Sequence, residues 1–436
     1  MPNRMTETET AKLELHHDVP CPGCGCLCDD LTIGLAAGAV KSIEPACAMA
    51  TAYYRQKHVS SDDCRIDGNM ATIMEAYQRA AEILQAAKAP LFFGLGETSS
   101  EAVRKAIDLA DLTGGIVDAS HPTFYDPTGR TIQTTGLVTC SLGEIRQRAD
   151  LVVFWGCDPL TTHLRHWERY SAEATGRFVP GGRSDRTLIG IGSRNKTTDA
   201  CDAFIPLEPS QQIAALHHLI SLAQGKPENQ SIVDAKLGDA AEPFGQLYEQ
   251  LRSAKYFVFV LGEAFLRKEA GRIPLELLAQ FVRPMHEQTR GAISILRPGP
   301  NWVGAGGVVA SRTGYPGGAA LTQGIPQFDP DNLSATRLLT QNRVDAAVLW
   351  EGPWLADLPE AARLALAKIP TVVLGHRLLG TDFTPSVFIP IKRPGYSDGG
   401  TMSRMDDMPL PVRVLIQEDL PAAEEAVQAI LERASA

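Results

Sequence analysis

The chain has 436 residues, of which 44% are hydrophobic and 21% are charged, and its net charge is −10. This composition is typical of a globular protein with two or three domains. The negative charge disfavours nucleic acids and anionic membrane surfaces as partners, because both are bound through clustered Lys and Arg. No apolar run reaches the about 18 residues of a transmembrane helix, so none is expected.

The first twenty residues are polar, carry both signs of charge and lack the apolar core of a secretory signal. The chain contains nine cysteines, four of which fall within eight residues. In a reducing compartment, clustered cysteines indicate metal binding rather than disulfides. We therefore expect a cytoplasmic protein.

The first predicted domain, residues 1–67, is rich in cysteine and contains two strand-like segments, Leu31–Ile33 and Val40–Ile43. The second, residues 68–225, alternates helix-like stretches with short apolar runs that end near a glycine. Runs of this kind suit strands that are buried on both faces of a parallel sheet. They are Pro90–Gly96, Gly115–Asp118, Ala149–Gly156 and Thr187–Gly192.

The third predicted domain, residues 226–436, starts with a polar, helix-prone connection over Pro227–Glu249. A final helix is predicted over Pro421–Ala434, where apolar residues recur at helical spacing. The predicted fold class is α/β, with a small Cys-rich N-terminal domain followed by two doubly wound, Rossmann-like domains. The strand-like runs of the third domain are Tyr256–Gly262, Ala292–Arg297, Val344–Trp350 and Thr371–Gly375.

An internal repeat relates the two α/β domains. The segment Ala149–Trp155 resembles Val344–Trp350, and each is followed by a Gly-X-Arg sequence, which ends at Arg194 and Arg377 respectively. An Asp lies five residues beyond each Arg, and a Phe-Ile-Pro segment comes next. Any two α/β units share some features, but the matched spacing favours duplication. Doubly wound units place ligand clefts at the carboxyl ends of their strands.

The strongest local signal is a group of cysteines, Cys21, Cys24, Cys28 and Cys47, spaced as C-x2-C-x3-C-x18-C. Short intervals let the thiolates converge, and intervening glycines let the backbone wrap closely around a cluster. The spacing predicts a [4Fe–4S] site, with a structural zinc site or an empty, vestigial site as alternatives. Cys26 is interpreted as a bystander that points away. The remaining cysteines are interpreted as small buried apolar residues: Cys64, Cys140, Cys157 and Cys201.

At this point the sequence resembles the B subunit of formylmethanofuran dehydrogenase, a relative of the molybdopterin-dependent formate dehydrogenases. The opening C-P-x-C-G-x-L-C-D-D begins the resemblance, which extends from about Cys21 to Arg413. Further matching segments are Gly143–Asp150, Trp155–Pro159, His163–His166, Arg169–Tyr170, Asn301–Gly304, Arg312–Pro316 and Gly399–Asp406.

The resemblance implies the formate dehydrogenase-like arrangement of domains I–III without a C-terminal barrel. It also implies a [4Fe–4S] cluster on the four cysteines and a Mo or W ion held by two pterin dithiolenes plus one Cys or selenocysteine. The stretch that corresponds to this protein ligand is Asp118–Pro127, with Phe124 at the ligand position and Tyr125–Pro127 after it. No cysteine occurs between Cys64 and Cys140. We expect the Mo/W–pterin to be absent, because a soft metal centre needs a thiolate or selenolate.

His121 is a candidate replacement ligand, but a lone His in a Pro-rich turn is more often an ordinary surface or hydrogen-bonding residue. The His163–His166 segment could belong to a remnant pterin pocket, and the alternative interpretation is a solvated helix start capped by Asp158. Arg404 and Asp406 are interpreted either as a fold-holding ion pair or as a ligand contact. No catalytic residue is assigned. The resemblance suggests a possible remnant pterin pocket at His163, His166, Asn301, Gly304, Arg312 and Thr313.

A B subunit without its metal ligand points to the formyltransferase/hydrolase complex, which uses tetrahydromethanopterin- and methanofuran-type carriers to convert formyl groups to formate. We expect a structural, non-redox B subunit. Its partners would be an amidohydrolase-like A subunit, a C subunit and a formyltransferase D subunit. The alternative is a redox-active B subunit of formylmethanofuran dehydrogenase with a Mo/W-bis-pterin and a [4Fe–4S] cluster. The missing thiol in Asp118–Pro127 favours the first hypothesis.

Overall fold

The computed structural model describes residues 13–56, 59–122, 124, 126–226, 229–267, 270–322, 324–376 and 383–436. The strands are β1 (Glu14–Val19), β2 (Leu31–Ala36), β3 (Ala39–Glu44), β4 (Arg65–Ile66), β5 (Asn69–Met70), β6 (Pro90–Phe93), β7 (Ile116–Val117), β8 (Leu151–Trp155), β9 (Thr187–Gly192), β10 (Ala203–Pro206), β11 (Phe257–Leu261), β12 (Gly291–Ile295), β13 (Ala319–Ala320), β14 (Gln327–Phe328), β15 (Ala346–Trp350), β16 (Thr371–Gly375), β17 (Val387–Pro390), β18 (Gly400–Ser403) and β19 (Pro409–Val412).

The helices are α1 (Ala48–Tyr54), α2 (Ile73–Ala86), α3 (Ser100–Leu112), α4 (Thr128–Thr134), α5 (Leu142–Arg148), α6 (Pro159–Thr162), α7 (Lys196–Asp199), α8 (Gln212–Ala223), α9 (Gln230–Leu237), α10 (Ala241–Ser253), α11 (Ile273–Met285), α12 (Trp302–Thr313), α13 (Ala335–Thr340), α14 (Glu360–Leu366) and α15 (Ala423–Ala434). A π-helical turn covers Trp167–Ser171. None of the helices in the described ranges has the length and apolar run that a membrane crossing requires.

The N-terminal sheet has the antiparallel order β1-β2-β3, and it contains both strand-like segments predicted for the Cys-rich domain. The loop between β1 and β2, here called the cysteine loop (residues 20–30), carries most of the clustered cysteines. The cysteine-rich segment packs against the five-stranded sheet that contains β8 and β11, because its apolar side chains share one core with that sheet.

Sheet I has the order β10-β9-β8-β11-β12, and its strands are all parallel. Its central strands are uninterrupted apolar runs and are buried on both faces. Val153 and Trp155 point to a core formed with α8, α10 and α11. Val152 and Phe154 point to the other core, which contains the cysteine loop and α5. Side chains alternate between faces along a strand, so each strand contributes to both layers.

Sheet II has the order β14-β13-β7-β6-β15-β16-β17-β4-β5. Its middle strands, from β7 to β17, are parallel, and short antiparallel strands extend both edges. One face packs against α2, α3 and α15, and the other packs against α13 and α14. The α/β class is therefore confirmed, and so are the predicted strands and the C-terminal helix.

The predicted boundary at residues 225 and 226 does not coincide with the division between the sheets. Sheet I takes strands from both sides of this boundary, and so does sheet II. The described part of the connection Pro227–Glu249 forms α9 and most of α10, whose apolar residues pack into the core of sheet I. The chain thus leaves sheet II after β7, completes sheet I, and then returns to sheet II.

The two sheets share one strand order. In sheet I, β8, β9 and β10 lie side by side, with β11 and β12 on the other side of β8. In sheet II, β15, β16 and β17 lie side by side, with β6 and β7 on the other side of β15. This correspondence supports the internal repeat. The Arg377 and Asp382 side of the comparison lies outside the described residues.

The two halves also share one interaction, here called the carboxylate clamp. The two carboxylate oxygens of Asp150, just before β8, accept the backbone N–H groups of Lys255 and Tyr256, at 2.9 and 2.8 Å. In sheet II, Asp345 accepts the N–H groups of Lys88 and Ala89, both at 2.8 Å. Each clamp fixes the start of one central strand against the start of its sequence-distant neighbour.

Removing either clamp should destabilise the fold. We expect Asp150→Ala and Asp345→Ala each to lower the free energy of unfolding by about 1–2 kcal/mol, because each leaves two N–H groups without their charged acceptor. The midpoint of urea unfolding checks this. Asp199→Ala is the control, because Asp199 only pairs with Arg194 in an exposed ion pair and should change stability by less than about 0.5 kcal/mol. Equal effects at all three positions would contradict a special role for the clamps.

Candidate functional site

A cleft of about 970 Å³ lies at the carboxyl ends of the parallel strands of both sheets. Sheet I contributes residues that follow each of its strands, among them Gly156–Asp158 after β8 and Gly262–Ala264 after β11. Sheet II contributes Glu97 after β6, Trp354 after β15 and His376 after β16. The Cys-rich segment forms a further wall. The strand ends therefore form a cleft where the predicted doubly wound units would place one.

The described lining of the cleft is aromatic and acidic. Four aromatic side chains line it, namely Tyr53, Phe124, Trp155 and Trp354. Burial raises the pKa values of Glu263 and Asp357, so these carboxylates lie in a poorly solvated environment. The described charged lining residues are five carboxylates and one guanidinium: Glu97, Asp158, Glu208, Glu263, Asp357 and Arg267.

Phe124 is the residue at the position where the family resemblance implies a protein ligand to the metal. It lines the cleft, and 8% of its surface is exposed. The same side chain packs into the core of sheet I. Its neighbour Tyr125 lies outside the described residues. At this position the cleft therefore has an apolar ring that cannot donate to a metal.

His121 also lines the cleft. Its ring packs edge-on against Trp302, with 5.1 Å between ring centroids, and its Nε2 lies 3.8 Å from a carboxylate oxygen of Asp357. Burial lowers the pKa of His121 to about 4, so the ring is neutral near pH 7. The interpretation of His121 as a surface residue does not match these contacts, because the side chain is only 11% exposed and packs against Trp302.

His163 lies where the cleft meets the cysteine loop. Its Nε2 is 2.9 Å from the carbonyl oxygen of Arg297, and burial lowers its pKa. Gly25 of the cysteine loop fits against the same carbonyl, which would lie only 2.4 Å from a Cβ at that position. The Gly25 carbonyl accepts the Met405 N–H at 2.9 Å. This junction holds the cysteine loop, sheet I and the late Gly399–Asp406 segment together.

The four predicted ligand cysteines come together. Cys21, Cys24, Cys28 and Cys47 line one small cavity, here called the cysteine cavity, together with Gly23, Leu31, Met49, Ala50 and Arg165. Cys24, Gly23 and Met49 also line the cleft, so the two spaces share a wall. Nowhere in the described ranges is a group of three or more His, Cys, Asp or Glu arranged to hold a single metal ion.

Cys26 does not line this cavity, but its thiol is not remote from the others. It is fully buried, and its interactions with the Cys24 and Cys28 thiols raise its pKa. The hydrogen bond from Cys26, followed by the charges of Arg169 and Arg165, lowers the pKa of Cys28 to about 7. Burial raises the pKa of Cys21 and of Cys47. Among Cys21, Cys28 and Cys47, Cys28 is therefore the predicted ligand whose surroundings most favour a thiolate.

Two arginines fix the end of the cysteine loop, and the sequence reasoning did not assign them this role. Arg165 binds the Asp30 carboxylate with both terminal nitrogens, at 2.7 and 2.8 Å. Arg169 pairs with both Asp29 and Asp30. The signal was present in the sequence as an Asp-Asp pair directly after Cys28 and two arginines four residues apart. Their pairing could not be inferred, because more than 130 residues separate them.

The other proposed pocket residues do not line the cleft. His166 is fully buried, and its Nδ1 lies 3.0 Å from the Ser171 hydroxyl. Asn301 bridges two chain segments, because its amide donates to the Thr98 carbonyl at 2.7 Å and accepts the Ser403 N–H at 2.7 Å. Gly304 leaves room for that amide, since a Cβ there would lie 2.0 Å from its oxygen.

The two remaining residues lie at the opposite end of α12 from Asn301. Arg312 pairs with Asp108 in a half-exposed ion pair. The Thr313 hydroxyl donates to the Val309 carbonyl at 2.8 Å. A helix rises about 1.5 Å per residue, so these side chains are about 16 Å from the start of α12. Of the six residues, the structure places only His163 at the cleft.

The segment around His163 is not a solvated helix start. Asp158 stands at the beginning of α6, but its carboxylate binds Thr161 and Thr197 side chains rather than capping the helix.

Arg404 and Asp406 form a bidentate pair at 2.7 and 2.9 Å, and Asp406 also accepts the Leu142 N–H at 2.6 Å. The fold-holding interpretation of this ion pair therefore matches its contacts.

Comparison with known proteins finds relatives that are similar to this chain along most of its length. No family model matches the chain. Over 92% of its length, the chain is 28% identical to the B subunit of the tungsten-containing formylmethanofuran dehydrogenase 2 of Methanocaldococcus jannaschii, and it covers 93% of that protein. The chain is a homologue of the formylmethanofuran dehydrogenase B subunit. The resemblance seen in the sequence is confirmed.

Two further relatives extend this result. The protein of the same name from Methanococcus maripaludis is 27% identical, over 93% of this chain and 95% of that protein. The B subunit of the formyltransferase/hydrolase complex Fhc of Methylorubrum extorquens is 26% identical, over 77% of this chain and 87% of that protein. The crystal structure of the formyltransferase/hydrolase complex FhcABCD from Methylorubrum extorquens, in complex with methylofuran, matches in fold. Its TM-score is 0.69 at 22% identity, covering 85% of this chain and 98% of that chain.

The position of Gly25 in this B-subunit homologue generates one prediction. Gly25→Ala should displace the cysteine loop, because the new Cβ would overlap the Arg297 carbonyl, which belongs to rigid backbone. We expect the melting temperature to fall by several degrees, for a cost of about 1–3 kcal/mol. Gly245→Ala is the matched control, because nothing lies within 4 Å of its Cβ position and it is in α10. Equal melting temperatures for the two variants would contradict the close contact at Gly25.

The neutral state of His121 predicts a pH dependence. The unfolded chain protonates His121 near its ordinary pKa of about 6.5, whereas the folded chain resists protonation until about pH 4. Stability from this residue is therefore present above pH 6.5 and is lost as the pH falls toward 4. When the pH is lowered from 7 to 4.5, the free energy of unfolding should fall by about 2 kcal/mol less in His121→Gln than in the wild type, as measured by urea unfolding. His217→Gln is the control, because His217 is exposed and its replacement should leave the pH dependence of unfolding as in the wild type. If His121→Gln shows the same pH dependence as this control, burial of His121 does not affect stability as proposed.

Proposed function

We propose that this chain is the B subunit of a formyltransferase/hydrolase-type complex, in which it has a structural rather than a redox role. The observation that carries the proposal is Phe124, an apolar ring that lines the cleft where the family resemblance expects a metal-binding thiolate or selenolate. Two kinds of homologue support the assignment, because one is named as part of formylmethanofuran dehydrogenase and the other as part of the formyltransferase/hydrolase complex.

The residues of the cleft do not fit a Mo/W–pterin. A soft metal needs a thiolate or selenolate, and Phe124 supplies neither. Pterin cofactors carry phosphate groups, whereas the charged side chains of the described cleft lining are five carboxylates and a single arginine. Carboxylates that are partly desolvated repel phosphate more strongly than they would in water. No step of formyl chemistry is therefore assigned to this cleft.

The redox-active alternative would need a metal-binding thiol in the cleft outside the cysteine loop. Among the described lining residues, Cys157 is that thiol. The residue is only 6% exposed, and its thiol donates to the Val260 carbonyl at 3.2 Å. Burial raises its pKa, so the neutral thiol is favoured. A metal ligand must be a thiolate. The contacts of Cys157 thus agree with its interpretation as a small buried residue.

The cysteine cavity fits an iron–sulfur cluster. Cys21, Cys24, Cys28 and Cys47 surround it, and the arginine pairs at Asp29 and Asp30 fix the backbone that follows Cys28. A [4Fe–4S] cluster held there would supply one-electron transfer when bound. Because neither Phe124 nor the buried Cys157 offers a thiolate in the described lining of the cleft, we propose that the role of the cluster in this chain is to hold the cysteine loop in shape.

The proposed partners are the other subunits of the complex, namely an amidohydrolase-like A subunit, a C subunit and a formyltransferase D subunit. The solved FhcABCD complex supports this proposal through its similar B-type chain. The finer fold assignment, two Rossmann-like domains of the formate dehydrogenase type, is supported by the shared strand order of sheets I and II. A cytoplasmic location remains a prediction from the clustered cysteines.

Metal analysis of the complex, purified anaerobically from cells supplied with molybdate and tungstate, tests the proposal. We expect less than about 0.1 Mo or W per B subunit, because Phe124 cannot serve as the metal ligand. We expect roughly four Fe per B subunit, because the four cysteines can hold a [4Fe–4S] cluster. Release of formate from the formyl carrier should be unchanged in complex from cells grown without molybdate and tungstate. Stoichiometric Mo or W that Cys157→Ala abolishes would instead establish the redox-active alternative.

A further inference from the structure

Arg165 is the charged side chain in the described wall of the cysteine cavity. Its side chain is 9% exposed, and it lies beside the space that the four thiols surround. The sequence resemblance places the His163–Tyr170 block near a pterin pocket, but here Arg165 faces the proposed cluster site. Arg165 is therefore placed to act on the proposed cluster and not on a ligand in the cleft.

Arg165 is held in place by three hydrogen bonds. Both terminal nitrogens bind Asp30, at 2.7 and 2.8 Å, and Nε binds Glu168 at 2.7 Å. A bidentate guanidinium–carboxylate pair fixes position as well as charge. Asp30 and Glu168 are 36% and 50% exposed, so water screens the two carboxylates more than it screens the buried guanidinium. The guanidinium of Arg165 is therefore the least screened of these three charges, and it is the one that lines the cavity.

We propose that Arg165 sets the reduction potential of the cluster and positions the loop that carries Cys28. This inference rests on the proposed [4Fe–4S] site. One-electron reduction adds a negative charge to the cluster, and a fixed positive charge in low dielectric stabilises the reduced form. Arg165 takes no part in chemistry and transfers no electron; it acts through its charge and through Asp30.

The test is a redox titration of the purified complex with dithionite as the reductant, followed by electron paramagnetic resonance. At the wild-type midpoint, Arg165→Met should lower the ratio of reduced to oxidised cluster at least tenfold, which corresponds to a midpoint about 59 mV more negative. Arg165→Lys keeps the charge and should change the ratio by less than about threefold. Asp30→Asn removes the counter-charge and should shift the midpoint in the opposite direction.

The control is Arg194→Met, which removes a guanidinium from the exposed ion pair with Asp199 and should leave the midpoint unchanged. Iron is measured for every variant. If Arg165→Met keeps its iron and the wild-type midpoint, the inference is wrong while the cluster proposal stands. If that variant loses its iron, Asp30→Asn decides: a midpoint shifted to more positive potential supports the inference, and an unchanged one overturns it. Absence of iron from the wild-type complex would overturn both the cluster proposal and the role of Arg165.

Discussion

The fold depends on pairing parallel strands that are far apart in the sequence. In sheet I, β8 lies beside β11, and in sheet II, β15 lies beside β6. A carboxylate clamp stands at the start of each pair, where Asp150 or Asp345 accepts two backbone N–H groups from the chain that enters the neighbouring strand. Since the clamps align the amino ends, the carboxyl ends of the strands also come together, and the cleft forms there. The same interaction in both sheets is a further mark of their common plan.

The cleft and the cysteine cavity meet at Gly23, Cys24 and Met49 but differ in chemistry. The cleft is aromatic and acidic in its described lining, and Phe124 occupies the place where a metal ligand is expected. The cysteine cavity keeps all four thiols and is bordered by a buried arginine. The proposed absence of a redox centre is compatible with the proposed cluster, because the arginine–aspartate pairs that shape the cysteine loop make no use of the cleft.

Much of the fold could be predicted from the sequence, because buried parallel strands are continuous apolar runs and helices repeat every three to four residues. The convergence of the four cysteines followed from their spacing in the same way. The boundary between the α/β domains did not, since the return of the chain to sheet II at β13 and β15 leaves no local pattern. The proposed remnant pocket grouped Asn301 with Arg312, although a helix separates them; family motifs mark shared residues and not shared location. The partners of Arg165 and Arg169 were hidden for the same reason, because ion pairs across long separations have no periodicity.

The route of the chain through the two sheets also has a consequence for synthesis on the ribosome. All strands of sheet I lie between residues 151 and 295, whereas sheet II needs strands from residue 65 through residue 390. Sheet I can therefore form while the chain is still emerging, but β6 and β7 must wait for β15 and β16 before their edges and apolar faces are covered. Unpaired strands of this kind promote aggregation during folding. The nascent chain thus passes through a stage in which its first-made strands are less protected than those of sheet I, and this stage ends only when most of the polypeptide has been translated.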